Sequence, residues 1–272
     1  VAKKEHIKLA HIEAGLRSGD IDMPEEVNRL VTDRLADLLL TPDRISNANL
    51  KAEGVAAERI AFVGNIMIDT LEAQRDKAAA RKVEEIVRRE LLFEREIPEL
   101  PEDGYAVMTM HRPSNVDQSE ILKPLIDFLA GEVAGELPLL WPIHPRAKKQ
   151  LETFGLWDRV VATRNLLLLN PLGYHDMLRL NMGAKIMLTD SGGLQEECCV
   201  LGTPCLTLRW NTERPVTLKE HGGASVLVGN AVARIRAAYR EEMNAARRAQ
   251  RPELWDGHTA ERIVQALRKM ES

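Results

Sequence analysis

Two rhythms alternate along the chain. Short apolar runs read as buried strands: Ile7 to Glu13, Ile60 to Asn65, Tyr105 to Met110, Leu139 to Ile143, Leu166 to Leu169, Lys185 to Thr189, Cys205 to Leu208 and Ser225 to Val228. Between them lie stretches with helical spacing. Val27, Leu30, Val31, Leu35 and Leu38 recur at helical intervals after Pro24, a favourable first helical residue. Glu25 and Glu26 then fall in the first turn, where the helix dipole favours carboxylates. A turn is predicted at Thr41-Pro42, followed by a helix closed by Gly54. One long, highly charged helix is predicted over 67–92, and two more near 230–248 and 258–270. Strands that alternate with helices predict an α/β fold built on parallel sheets.

Composition changes at Glu96 to Asp103, an acidic segment containing prolines. It predicts a hinge between two Rossmann-like lobes. Residues 1–95 then form the C-terminal part of a first lobe plus a hinge helix. Residues 96–254 form a second, nucleotide-binding lobe whose six strands make a complete doubly wound domain. The first lobe, with two or three strands, is about half of one. The chain opens Val1-Ala2-Lys3-Lys4 and enters a strand within ten residues. That start reads as the end of a helix whose preceding strand is absent, so the first lobe is expected to be incomplete.

Bulk properties narrow the class. The 272 residues are 44% hydrophobic and 29% charged, as in a soluble globular protein. A formal net charge of −4, with basic residues single or in short clusters such as Lys148-Lys149, gives no nucleic-acid footprint. No apolar run approaches the ~20 residues that span a bilayer, and no secretory signal is seen, so a cytoplasmic protein without a membrane partner is expected. Cys198, Cys199 and Cys205 read as buried structural thiols. No metal-ligand spacing occurs, and neither metal nor organic cofactor is expected.

In open parallel sheets, ligands bind beyond the carboxyl ends of the strands. Five strand-end or helix-start segments carry chemistry. Glu13 closes an apolar strand before a turn at Gly15, either as a reacting carboxylate or as a partner for Arg17. Glutamates at a helix start are usually simple capping residues, but Glu25 and Arg29 stand four apart on one helical face, a spacing that lets them share a task. His111-Arg112 directly follows a strand; a guanidinium fork and a group titrating near neutrality suit a diphosphate. His144 ends another strand before Pro145 and is either ligand-facing or structural. Finally, Thr189-Asp190-Ser191-Gly192-Gly193 joins a strand to a helix. Its glycines let backbone approach an anion at a helix start, and Glu197 follows one turn on, placed for a ribose diol. It is neither the G-x-G-x-x-G dinucleotide fingerprint nor a G-x-S-x-G nucleophile elbow.

Seven segments in order, HIEAGLRSGD, MPEEVNRL, FVGNIMID, TMHRPSNVD, PIHP, LTDSGGLQEE and NTERP, resemble the non-hydrolysing UDP-N-acetylglucosamine 2-epimerases across essentially the whole chain. The resemblance implies a fold of glycosyltransferase-B type with its active site in the cleft between two lobes. It also implies a homodimer, a UDP-sugar substrate, and a C-terminal helix, residues 255–272, that packs back on the first lobe. Carried over by position, Glu13, Glu25 and His111 match catalytic residues. Arg29, Arg112, His144, Ser191, Gly192, Gly193, Glu197 and Arg214 match substrate-binding positions. Met177 stands where the family often has an aromatic that packs on uracil. The family also carries earlier strand–helix units, roughly a hundred residues at ~30 per βαβ unit, with a basic cluster and a catalytic aspartate.

The implied chemistry is epimerisation at sugar C2 through elimination and re-addition of UDP. Two proton-handling groups on opposite faces of the ring are then required, together with donors at the leaving diphosphate. Three alternatives stay open from the residues alone: a hydrolysing epimerase that releases ManNAc and UDP, a glycosyltransferase of the same fold, and a non-catalytic nucleotide-sugar binding fragment.

Overall fold

The structure is a computed structural model that describes residues 1–271. The fold is α/β with parallel sheets, as the alternating pattern predicts, and the chain divides into two compact units. Unit 1 comprises Val1–Ala73, Asn211–Gly223 and the residues from Gln250 onward. Unit 2 comprises Gln74–Trp210 and Ala224–Ala249. The acidic segment at Glu96 to Asp103 lies inside unit 2.

Unit 1 holds β1 (Ala10–Ile12), α1 (Pro24–Leu35), β2 (Leu38–Thr41), α2 (Arg44–Ala52), β3 (Ile60–Phe62) and the start of α3 (Ile66–Ala79). The three strands form a parallel sheet in the order β1-β2-β3, with Ala10 opposite Leu38 and Leu39 opposite Ile60. Strand β2 corrects the sequence reading, which ran the helix through Leu38 to a turn at Thr41. Helix α1 stops at Leu35, and Leu38-Leu39-Leu40 extends through the middle of the sheet, buried on both faces. Leu39 packs with Ala14, Ala36 and Leu50. Leu38 and Leu40 pack with Val63 and, from the last helix of the chain, Ile263. Strand β1 is also shorter than Ile7 to Glu13.

Unit 2 continues through α4 (Val83–Glu90), β4 (Ala106–Thr109), α5 (Pro113–Val116) and α6 (Ser119–Phe128), which runs through a π turn (Leu129–Val133) into α7 (Ala134–Glu136). Next come β5 (Leu139–Pro142), α8 (Pro145–Thr153), α9 (Trp157–Ala162), β6 (Leu166–Leu169), α10 (Tyr174–Gly183), β7 (Ile186–Thr189), α11 (Gly192–Leu201), β8 (Cys205–Thr207), β9 (Ser225–Leu227) and α12 (Val232–Met243). Helix α13 (Thr259–Glu271) returns to unit 1. The single helix predicted over 67–92 is therefore two, α3 and α4, separated at Ala80–Lys82.

The six-stranded parallel sheet has the order β6-β5-β4-β7-β8-β9. Successive strand residues alternate between two cores. Met108, Leu139, Trp141, Leu168, Leu188 and Leu206 face α6 and α12. Val107, Leu140, Leu167, Met187 and Cys205 face α4, α10 and α11. Burial on both faces explains why these strands read as unbroken apolar runs. All three cysteines are free and buried. No helix among the described residues is long and apolar enough to cross a membrane.

Candidate active site

Strand order in unit 2 reverses between β4 and β7, and at such a switch point a doubly wound sheet opens a crevice at its carboxyl edge. Thr109 and Thr189 end those two strands in register, their hydroxyls 2.7 Å apart. Beyond them the two loops are joined by one fully buried carboxylate, Asp190. Its Oδ2 accepts from the backbone N–H of His111 at 2.9 Å, the N–H of Arg112 at 2.8 Å and Asn115 Nδ2 at 3.1 Å. Its Oδ1 lies 2.8 Å from His111 Nδ1. Arg112 Nε donates to the Asp190 carbonyl at 2.9 Å. Burial works to raise the Asp190 carboxyl, but the His111 imidazole and the two loop N–H groups outweigh it and hold the group below its ordinary range.

Ser191 is the N-cap of α11 and makes no side-chain capping bond there. Gly192 and Gly193 open this ten-residue helix. A Cβ at Gly193 would meet nothing within 4 Å. Open space therefore adjoins N–H groups at the positive end of a helix dipole, an arrangement that receives an anion. Glu197 lies just over one turn further in and is nearly buried. Burial pushes its carboxyl up to about 7, against the pull of Asn181 and Tyr174 of α10. On the same helix Met177 packs, half-buried, against the inner core. His144 caps α8, its Nδ1 accepting from Arg146 N at 3.1 Å, and its ring centroid lies 5.4 Å from that of His111.

Unit 1 holds a second cluster. Glu13 follows β1 with φ +64°, a region that residues other than glycine seldom adopt. Two buried carboxylates of α1 hold the loop around it. Asp33 accepts from Gly15 N at 3.0 Å, pairs with Arg17 at 2.7 Å, and lies 2.5 Å from His11 Nδ1. Glu26 accepts from Ser18 N and Gly19 N at 3.0 Å and from Arg29 Nη2 at 2.6 Å. Both carboxyls stay below their ordinary range because these donors outweigh burial. Arg214 brings its Nη2 to 4.0 Å from Glu13 Oε2 and also pairs with Glu213. Asn211 Nδ2 donates to Asp20 Oδ2 at 3.2 Å, so the Asn211–Arg214 segment and the Glu13 loop meet within unit 1.

Residues 1–268 match the family model described as UDP-N-acetylglucosamine 2-epimerase. The chain is 38% identical over 270 residues to a UDP-N-acetylglucosamine 2-epimerase of Methanocaldococcus jannaschii, covering 98% of this chain and 70% of that protein. The chain belongs to the UDP-N-acetylglucosamine 2-epimerase family.

It is also 36% identical over 234 residues to a UDP-2,3-diacetamido-2,3-dideoxy-D-glucuronate 2-epimerase of Pseudomonas aeruginosa, covering 85% of this chain and 59% of that one. Among solved structures it is similar to the M. jannaschii UDP-GlcNAc 2-epimerase in complex with UDP-GlcNAc and UDP. There the TM-score is 0.85 at 36% identity, with 99% of this chain and 71% of that chain covered.

Within this epimerase fold, unit 2 gathers His111, Arg112, Ser191, Gly192 and Gly193 at its switch point, with His144 beside His111. Glu197 and Met177 lie on α11 and α10. Unit 1 gathers Glu13 and Arg214. Glu25 and Arg29 form no ion pair with each other among the described residues. Arg29 instead pairs with Glu26 three residues away, and Glu25 is exposed at the start of α1. The phase of the helix decides this, since Glu26 and Asp33, seven apart, point inward together. Three carboxylates that anchor the loops escaped the sequence reading: Asp190, Glu26 and Asp33. Asp190 had a usable signal, a carboxylate directly after an apolar strand and before Ser-Gly-Gly. Glu26 and Asp33 had only their seven-residue spacing.

Proposed function

We propose that the protein interconverts UDP-N-acetylglucosamine and UDP-N-acetylmannosamine without net hydrolysis. The observation that carries this reading is the anion-receiving turn at Ser191–Gly193, with His111 beside it and Glu197 one turn on. That set suits a nucleoside diphosphate: N–H groups and an imidazole for the phosphates, and a carboxylate for the ribose. The names and bound ligands of the relatives support a UDP-activated 2-acetamido sugar.

The hydrogen at C2 is not beside a carbonyl, so deprotonation alone gives a poorly stabilised carbanion. Elimination avoids it. A carboxylate takes the C2 proton, the C–H electron pair becomes the C1=C2 double bond, and the C1–O bond breaks with its electrons leaving on UDP. UDP re-adds at C1 while a proton reaches C2 from the opposite face. Glu13 and Glu25 are assigned to proton handling in this reading, and Arg29 and Arg214 to binding the anion. His111, Arg112 and the Ser191 turn stabilise the departing diphosphate. Met177 is assigned to packing on the base in this reading, and His144 flanks His111.

The test is NMR product analysis in deuterated water. UDP-GlcNAc is expected to give UDP-ManNAc carrying deuterium at C2. Release of free ManNAc would favour the hydrolysing route, and epimerised product with its original C2 hydrogen would refute elimination.

A further inference from the structure

We infer that Asp190 is a positioning residue that fixes the tautomer of His111 and ties it to the anion-receiving turn. The inference rests on the reading of His111 as a group at the leaving diphosphate. Each oxygen of Asp190 has a separate task. Oδ2 is occupied by three donors: the N–H groups of His111 and Arg112 and Asn115 Nδ2. Oδ1 lies 2.8 Å from His111 Nδ1 in an ion-pair contact and accepts no hydrogen bond from any other described group. An ionised carboxylate only accepts hydrogen bonds, so the ring nitrogen that faces it carries the proton. In the neutral ring Nε2 is then the bare nitrogen, which takes up and gives back a proton at the open side of a side chain that is 41% exposed. Buried inside the protein, Asp190 cannot exchange this partner for water.

The backbone of the same residue completes the link. Asp190 lies between Thr189, which ends β7, and Ser191, which caps α11. Asn115 Nδ2, besides binding Oδ2, donates to Leu208 O at 2.9 Å, so the residue that follows β8 is joined to the same carboxylate. One side chain thus sets both the orientation of the imidazole and its distance from the helix start. His144 does not compete for the role, because its Nδ1 is engaged by Arg146 N.

Asp190→Asn separates this positioning role from a merely structural one. Three donors converge on the Oδ2 position, so the amide oxygen must take that place and the NH2 must face His111 Nδ1. The substitution keeps the loop's acceptor while inverting the tautomer, moving the ring proton to Nε2. Long-range proton–nitrogen NMR of the 15N-histidine-labelled chain, with His111 assigned from a His111→Gln variant, reads this without substrate. The parent is expected to show Nδ1–H in its neutral form and Asp190→Asn to show Nε2–H. Turnover is expected to fall about 100-fold, the lower end of what a positioned proton donor contributes, with KM within about threefold, since only transition-state stabilisation is removed. An unchanged tautomer in Asp190→Asn, or an unchanged kcat while His111→Gln is impaired, would overturn the inference. An unimpaired His111→Gln would instead remove the functional reading of His111, with the spectra still deciding what Asp190 does to the ring.

Discussion

Replacing Glu197 with glutamine should stabilise the protein at alkaline pH and leave it nearly unchanged in acid. Glu197 is 8% exposed, and burial raises its carboxyl from 4.5 to about 7. Each tenfold change in acidity corresponds to about 1.4 kcal/mol. Holding the ionised form inside the fold therefore costs about 3 kcal/mol, an order-of-magnitude figure. The sign follows from proton counting. Between 4.5 and 7 the unfolded chain has ionised this group while the folded chain keeps it protonated. The folded state binds more protons there, so stability falls as pH rises through that window, and the full cost is present above it. Glutamine has nearly the same shape and no charge, and keeps a polar group near Asn181 and Tyr174. Urea denaturation at pH 4.5 and pH 8 measures the effect. Glu197→Gln should match the parent at the lower pH and gain up to about 3 kcal/mol at the higher, at the expense of UDP affinity. The same difference at both values would refute the argument.

Other positions test the framework independently. Glu13→Gly relieves the φ +64° backbone; it should raise stability by about 1 kcal/mol and abolish epimerisation, measured by melting and product NMR. Asp33→Asn leaves Arg17 and His11 beside an uncharged group and should cost about 3–5 kcal/mol at neutral pH. Because the Asp33 carboxyl sits below its ordinary range, its stabilisation is lost as pH falls through the folded value, so urea midpoints of parent and variant should converge in strong acid. Gly193→Val faces open space; it should leave the melting temperature almost unchanged and weaken UDP binding by calorimetry. Gly64→Ala should do the reverse in its own unit, because Gly64 has φ +94° and a Cβ there collides with the Leu254 carbonyl. Its melting temperature should fall by several degrees, at about 2–4 °C per kcal/mol.

Local pattern was enough to read the class of fold and the strands of unit 2, and to nominate most of the candidate site. Leu166–Leu169 and Ile186–Thr189 must be strands covered on both faces, because only such burial makes an unbroken apolar run of that length favourable. The places of His111 and Ser191 just past strand ends were legible, because a polar residue that closes an apolar strand run stands at the carboxyl edge of such a sheet. Local pattern failed where two periods overlap. Leu38 continues the spacing of Leu30 and Leu35, and only its pairing with Ala10 makes it β2. The break between α3 and α4 contains neither proline nor glycine, so nothing local announces it.

Tertiary structure alone decided which carboxylates anchor and which face outward. Glu25 and Glu26 are adjacent and chemically identical, but helix phase buries one against the Ser18–Gly19 loop and exposes the other. Asp190 joins loops 79 residues apart, a contact that exists only because β4 and β7 are neighbours at the point where strand order reverses. Side-chain chemistry is written residue by residue, but the partner that sets a proton's position is supplied by strand order.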